Sequence, residues 1–63
     1  MKLNKIKLVL VEKDISQTEL AQKMGKSFST INAWCSNRQQ PSLEALKQIS
    51  ELLNVPMTEL LNN

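Results

Sequence analysis

The chain has 63 residues, a net charge of +2, one cysteine and no histidine. This length accommodates one small domain, residues 1–63, whose hydrophobic core alone contributes roughly 3–5 kcal/mol of stability. A single cysteine excludes an internal disulfide, and without histidine it cannot form a zinc site. The sequence also lacks a glycine-rich phosphate loop and paired carboxylates at a plausible site. We therefore expect no enzyme activity, no cofactor, no metal and no small-molecule substrate.

Positive charge is concentrated in the first part of the chain. Residues 1–38 hold seven lysine or arginine residues against three acidic ones, a balance of +4, whereas residues 39–63 have a balance of −2. This asymmetry permits a polyanionic partner, although ordinary solvated charge produces the same pattern. The longest apolar run, residues 8–11, is too short to cross a membrane or to form a signal peptide. We expect a cytoplasmic protein without membrane contact.

The first half of the chain predicts two helices. The first covers about residues 4–13, where apolar residues exceed what one buried face needs. The second covers about residues 16–24 and begins with a capping box, Ser16 to Glu19, in which the serine hydroxyl accepts from a first-turn amide. Gly25 ends this helix because glycine adopts a positive φ at low cost.

Three further helices are predicted in the second half. The third covers about residues 27–36, with Ser27 as its N-cap and Asn37 as its stop. The fourth begins after the N-cap Ser42 and has the clearest amphipathic period in the chain. A short fifth helix follows Pro56, at about residues 57–61. The pattern predicts an all-α domain.

The second and third helices are joined by Gly25-Lys26-Ser27, the connection length typical of a helix-turn-helix. The segment "SQTELAQKMGKSFSTINAW", followed by "PSLEALKQISELLNVPMTELL", resembles the phage-repressor and Cro family of the xenobiotic-response-element type. The resemblance covers about residues 5–61. It implies a compact five-helix bundle of the lambda-repressor-like type that binds duplex DNA, usually as a dimer on inverted repeats.

The resemblance implies that the third helix reads bases, and the matching positions are Phe28, Ser29, Asn32 and Ala33. Asparagine can bond adenine in a bidentate manner, and phenylalanine or alanine can pack on a thymine methyl group. These residue types favour a half-site rich in A·T pairs. Phe28 has an alternative place in the core. Trp34 has a DNA-stacking alternative, but its spacing with Ile31 predicts core packing.

A second set of positions is expected to meet DNA phosphates: Gln17, Lys26, Ser36, Arg38 and Gln40. Gln17 matches the family position at the start of the second helix, where an amide side chain can donate to phosphate. The other four flank the third helix, and Lys5 is a further candidate. The alternative is that these polar residues are simply solvated.

The chain departs from the family pattern at Leu10 and Cys35, where many members carry an arginine and a glutamate. Apolar residues can replace a buried ion pair at little cost when both partners change. We therefore predict that Leu10 touches Cys35, and that Cys35 is a packing residue rather than a redox sensor.

The expected function is sequence-specific binding of double-stranded DNA by a transcriptional regulator of repressor type, acting as a homodimer. One candidate dimer interface lies around Met57, Leu60 and Leu61, and another contains Leu8 and Val11. The alternative is a helical module that binds a protein partner, as an antitoxin does, with weak or no DNA binding.

Overall fold

The computed structural model describes residues 3–62 of the chain. Four α-helices and one 3₁₀ helix follow in the order α1 Ile6–Glu12, α2 Gln17–Met24, α3 Phe28–Cys35, α4 Leu43–Leu53 and the 3₁₀ helix Met57–Leu60. Residues 3–62 contain no strand, and the β-type pairing among them is an isolated bridge between Asn4 and Leu61. The all-α architecture is confirmed.

The prediction of a fifth α-helix is wrong, because the last element is a 3₁₀ helix of four residues. Its N-cap, Pro56, is extended with ψ at 151°, and Leu61 returns to an extended conformation with ψ at 141°. Leu61 then pairs with Asn4. Only one turn fits between these two extended residues.

The predicted helix starts and stops are confirmed where local chemistry determines them. The hydroxyls of Ser16, Ser27 and Ser42 each accept from the amide three residues ahead, at 3.0, 3.2 and 3.1 Å. Gly25 has φ at 66° and ends α2, and Asn37 has φ at 62° just beyond α3. These caps satisfy backbone groups that a helix end leaves unpaired.

One buried cluster contains side chains from all five elements. Five of its members have no exposed surface: Ile6, Leu20, Ile31, Ile49 and Leu60. Leu60 therefore belongs to the chain's own core, and its assignment to a dimer interface is wrong. No helix within residues 3–62 combines the length and apolar character needed to cross a membrane.

The segment before α1 is held by the C-terminal residues. The amide of Lys5 donates to the carbonyl of Leu60 at 2.8 Å, and that of Asn62 donates to the carbonyl of Leu3 at 3.0 Å. Because residues 3–5 pair in this way, α1 begins at Ile6 and not at the predicted Asn4.

Candidate nucleic-acid interface

Helix α3 is fixed to the body by one side and leaves its first turn exposed. Ile31, Trp34 and Cys35 lie in the buried cluster, which confirms core packing for the tryptophan. Phe28 keeps 51% of its surface exposed, so the alternative that it enters the core is wrong. Ser29 beside it is also exposed. The start of α3 therefore presents an aromatic ring and a hydroxyl to solvent.

The turn between α2 and α3 is tight and hydrogen-bonded. Gly25 takes the left-handed conformation that ends α2, and the amide of Lys26 donates back to the carbonyl of Ala21 at 2.9 Å. Ser27 then caps α3, so three residues, 25–27, separate the end of the first helix from the start of the second. Lys26 lies at the tip of this turn with its side chain exposed.

Ala33 differs from its predicted placement on the exposed face. Only 8% of its surface is exposed, and the loop after α3 folds back to bond its carbonyl. The amides of Arg38 and Gln39 both donate to the Ala33 carbonyl, at 3.0 and 3.2 Å. The prediction of an exposed Ala33 is wrong, and its methyl group has little surface left to offer a base.

Four of the predicted contact residues form one hydrogen-bonded chain across the surface. Asn32 Nδ2 donates to Gln17 Oε1 at 3.0 Å, and Arg38 Nη2 donates to Asn32 Oδ1 at 3.2 Å. Arg38 Nε donates to Ser36 Oγ at 3.1 Å, and that hydroxyl donates to the Ala33 carbonyl at 3.2 Å. The start of α2, the middle of α3 and the following loop are thus joined side chain to side chain.

Gln40 belongs to a different, internal network. Its Oε1 accepts from Asn4 Nδ2 at 2.8 Å, and its Nε2 donates to Asn37 Oδ1 at 3.1 Å. Asn37 Oδ1 also accepts from the amides of Leu3 and Asn4, at 2.8 and 3.0 Å. One amide hydrogen of Gln40 remains for a phosphate, so its main contacts are structural.

Asn4 is the buried centre of this network, with 4% of its surface exposed. Its Nδ2 also donates to the Trp34 carbonyl at 2.9 Å, and its Oδ1 accepts from the Ile6 amide at 3.1 Å. Neither Asn4 nor Asn37 was expected to position α3 from the sequence. The bonds from Asn4 to Trp34 and from Leu3 to Asn37 span 30 and 34 positions, so no local pattern reveals the pairing.

Cys35 is a buried thiol beside α1. Burial raises its pKa from 9.0 to about 11, although the charge of Lys7 acts in the opposite direction. The thiol is therefore protonated at neutral pH, which makes it a poor nucleophile. Leu10 lies in the same buried cluster with 2% exposure, and its direct contact with Cys35 stays a prediction. In the described part of the chain, no group of three potential metal ligands is placed to hold an ion.

Comparison with known proteins agrees with this geometry. A family model described as helix-turn-helix matches residues 6–60. A solved crystal structure of a candidate DNA-binding protein from Bacteroides fragilis superposes with a TM-score of 0.94, at 53% identity, over 98% of this chain and 100% of that one.

Two curated relatives are longer proteins. The cryptic phage CTXphi transcriptional repressor RstR of Vibrio cholerae is 32% identical over 95% of this chain and 54% of its own length. The HTH-type transcriptional activator BcrR of Enterococcus faecalis is 33% identical over 92% of this chain and 28% of its own length. The chain thus spans about half the length of one relative and about a quarter of the other. It belongs to the Cro/C1-type family of helix-turn-helix DNA-binding domains.

Proposed function

We propose that this chain binds double-stranded DNA in a sequence-specific manner and regulates transcription as a repressor, with α3 in the major groove. The arrangement of α3 carries the proposal. Its inner side is fixed by Ile31 and Trp34, while its exposed side and the start of α2 are linked by the Asn32 to Gln17 hydrogen bond. A helix held in this way can enter the major groove without losing its orientation.

Three residues of α3 are proposed to contact bases: Phe28, Ser29 and Asn32. The exposed ring of Phe28 suits a thymine methyl group, the Ser29 hydroxyl suits several base edges, and the Asn32 amide suits adenine. Ala33 leaves this set because only 8% of its surface is exposed. The half-site is accordingly proposed to be rich in A·T pairs.

Phosphate contacts are proposed on both sides of the groove. Gln17 begins α2, where the first backbone amides of a helix have no intrahelical partner and favour an anion, and its side-chain amide can also donate to one. Lys26 and Arg38 supply positive charge from the two loops that flank α3, and Ser36 and Gln40 lie beside the second loop. Such contacts fix the position of the protein without reading sequence.

Action as a homodimer on an inverted repeat is part of the proposal. The described residues measure 28 × 24 × 21 Å, a size that covers one half-site. Two-fold symmetry places half-sites about one helical turn apart, roughly 34 Å. Leu8 and Val11 are 55% and 69% exposed on α1, and Leu61 is 38% exposed at the C-terminal end. Both candidate interfaces therefore offer apolar surface.

Repression is favoured by the relative RstR, which is named a transcriptional repressor and matches nearly all of this chain. BcrR is named an activator, but this chain covers a much smaller share of it. A small domain can repress by occupying a site that polymerase needs. The direction of regulation is tested by a reporter gene placed behind the selected DNA site.

The DNA-binding proposal is tested by selection from a random pool of duplexes at moderate salt. Enrichment of an inverted repeat, with half-sites one turn apart, is the expected result. Retention that depends on salt without enrichment contradicts sequence-specific reading, because it requires only phosphate contacts.

The second candidate function is a protein-interaction module. The exposed apolar side chains of Leu8 and Val11 favour it, since such residues on one helix are typical of partner contacts. The two candidate functions predict different retention on DNA duplexes at low salt. An interaction module that has lost DNA binding shows no retention on any duplex, whereas a DNA reader binds and is released as salt rises.

A further inference from the structure

Each hydrogen bond in the series Arg38–Asn32–Gln17 has one possible donor and one possible acceptor. Arginine can only donate, so the Asn32 atom that faces Arg38 must be the oxygen Oδ1. The Asn32 nitrogen Nδ2 then faces Gln17, and the Gln17 atom that receives it must be Oε1. No freedom remains to exchange oxygen and nitrogen in either amide without losing a bond.

The hydrogen bond between Arg38 and Ser36 also has only one possible direction. Ser36 Oγ gives its only hydrogen to the Ala33 carbonyl, so toward Arg38 it can only accept. Arg38 Nε donates to it at 3.1 Å, which holds the guanidinium against the end of α3. The arginine is thus anchored at one nitrogen while another nitrogen faces Asn32.

We propose that Arg38 is a specificity-determining positioning residue, which sets the orientation of the Asn32 amide toward the base and of the Gln17 amide toward phosphate. This inference rests on the proposed DNA binding. It adds to the sequence-independent phosphate contact of Arg38 a second role, an effect on base choice through Asn32.

The consequence for Asn32 follows from counting its hydrogen-bonding groups. An asparagine amide has two hydrogens and two lone pairs. The bond to Gln17 uses one hydrogen, and the bond from Arg38 uses one lone pair. One hydrogen on Nδ2 and one lone pair on Oδ1 remain, which match the N7 acceptor and N6 donor of adenine. Water competes for these bonds in the free protein, and its exclusion at a DNA interface strengthens them.

The consequence for Gln17 concerns its donor groups. Since Oε1 is turned toward Asn32, both hydrogens of Nε2 are available to other acceptors. They can donate to a phosphate oxygen at the start of α2. A reversed Gln17 amide would present its oxygen to the phosphate, which repels it.

The test compares Arg38→Met with a matched control, Lys26→Met. Each variant removes one positive charge from an exposed side chain in a loop beside α3, but Lys26 makes no contact in the Arg38–Asn32–Gln17 chain. Affinities are measured on the selected duplex and on duplexes with each base replaced in turn. Asn32→Ala identifies the base position that depends on the asparagine.

Lys26→Met is expected to weaken binding to all duplexes alike and to reduce the salt slope by about 0.9. Arg38→Met is expected to lower the preference for adenine at the Asn32 position by on the order of tenfold as well. If Arg38→Met behaves like Lys26→Met at every position, the inference is overturned while the proposed function stands. If the unmodified chain prefers no base at any position, the proposed function fails first.

A second measurement needs no DNA. The measurement is an NMR experiment on the free protein that records the resonances of the Asn32 Nδ2 protons. Arg38→Met is expected to shift them and Lys26→Met to leave them in place, because of these two residues the arginine, and not the lysine, bonds to this amide. Unchanged Asn32 resonances in Arg38→Met would overturn the inference without reference to any DNA sequence.

Discussion

Replacement of Asn4 by alanine removes the centre of the internal network behind α3. The asparagine makes three side-chain hydrogen bonds, to the Trp34 carbonyl, to Gln40 Oε1 and from the Ile6 amide. Asn4 is 4% exposed, so the amide of Ile6 loses its partner in a place with little access to water. The carbonyl of Trp34 loses one bond but still accepts from the amide of Asn37 at 3.1 Å. Gln40 is exposed and can turn to solvent.

The expected cost follows from one group left unpaired, the Ile6 amide, and from one bond lost at the Trp34 carbonyl. A buried polar group without a partner costs about 1–3 kcal/mol, and the net loss of a hydrogen bond costs about 0.5–1.5 kcal/mol. We expect Asn4→Ala to lower the free energy of unfolding by about 2–4 kcal/mol, which is most of the roughly 3–5 kcal/mol that a core of this size supplies. A variant with no folded baseline at 25 °C agrees with the upper end of this range.

Urea unfolding followed by Trp34 fluorescence and far-ultraviolet circular dichroism measures this cost. Gln48→Ala, on an exposed position of α4, is the matched control and should change stability by less than about 0.5 kcal/mol. Gln40→Ala leaves Asn4 two of its three bonds. Its loss of stability should lie between those of Asn4→Ala and Gln48→Ala. A loss below about 0.5 kcal/mol for Asn4→Ala would refute the reasoning, because the network would then contribute nothing to stability.

Three other substitutions test separate parts of the account. Phe28→Ala should abolish or strongly weaken DNA binding at an unchanged melting temperature, since the ring is 51% exposed; a large drop in melting temperature would indicate a core role instead. Gly25→Ala should cost about 1 kcal/mol by thermal unfolding, because φ is 66° while no atom lies within 4 Å of the added Cβ; an unchanged stability would contradict the left-handed turn. Folded protein should lose stability as pH rises from about 9 to 11, because the unfolded state releases the Cys35 proton first, and Cys35→Ala should lack that part of the decline. Rapid alkylation of native Cys35 at pH 8 would argue against its burial.

The features that could be predicted from the sequence are those that depend on neighbouring residues. Ser16, Ser27 and Ser42 cap the helices that follow them, and Gly25 ends α2 with a positive φ. Each of these depends on the chemistry of a few adjacent positions. The order and spacing of the helices then indicate the family, and with it the general position of the interface.

The features that could not be predicted depend on residues distant in sequence. Ala33 is buried and its carbonyl bonds to the loop after α3, although helical periodicity places it on the exposed side. Asn4 and Asn37 meet across 33 positions. The final element becomes a single 3₁₀ turn because Leu61 pairs with the start of the chain. Periodicity contains no information about any of these contacts.

The surface that meets DNA is tested most directly by an NMR titration of the isotope-labelled chain with the selected duplex. Resonance changes are expected to concentrate at the start of α2, along the exposed side of α3 and in the loop with Arg38. The exposed side of α4, around Leu43 and Lys47, should remain unchanged. Changes confined to α4 or to Leu8 and Val11, with α3 unaffected, would contradict the central claim that α3 reads the DNA.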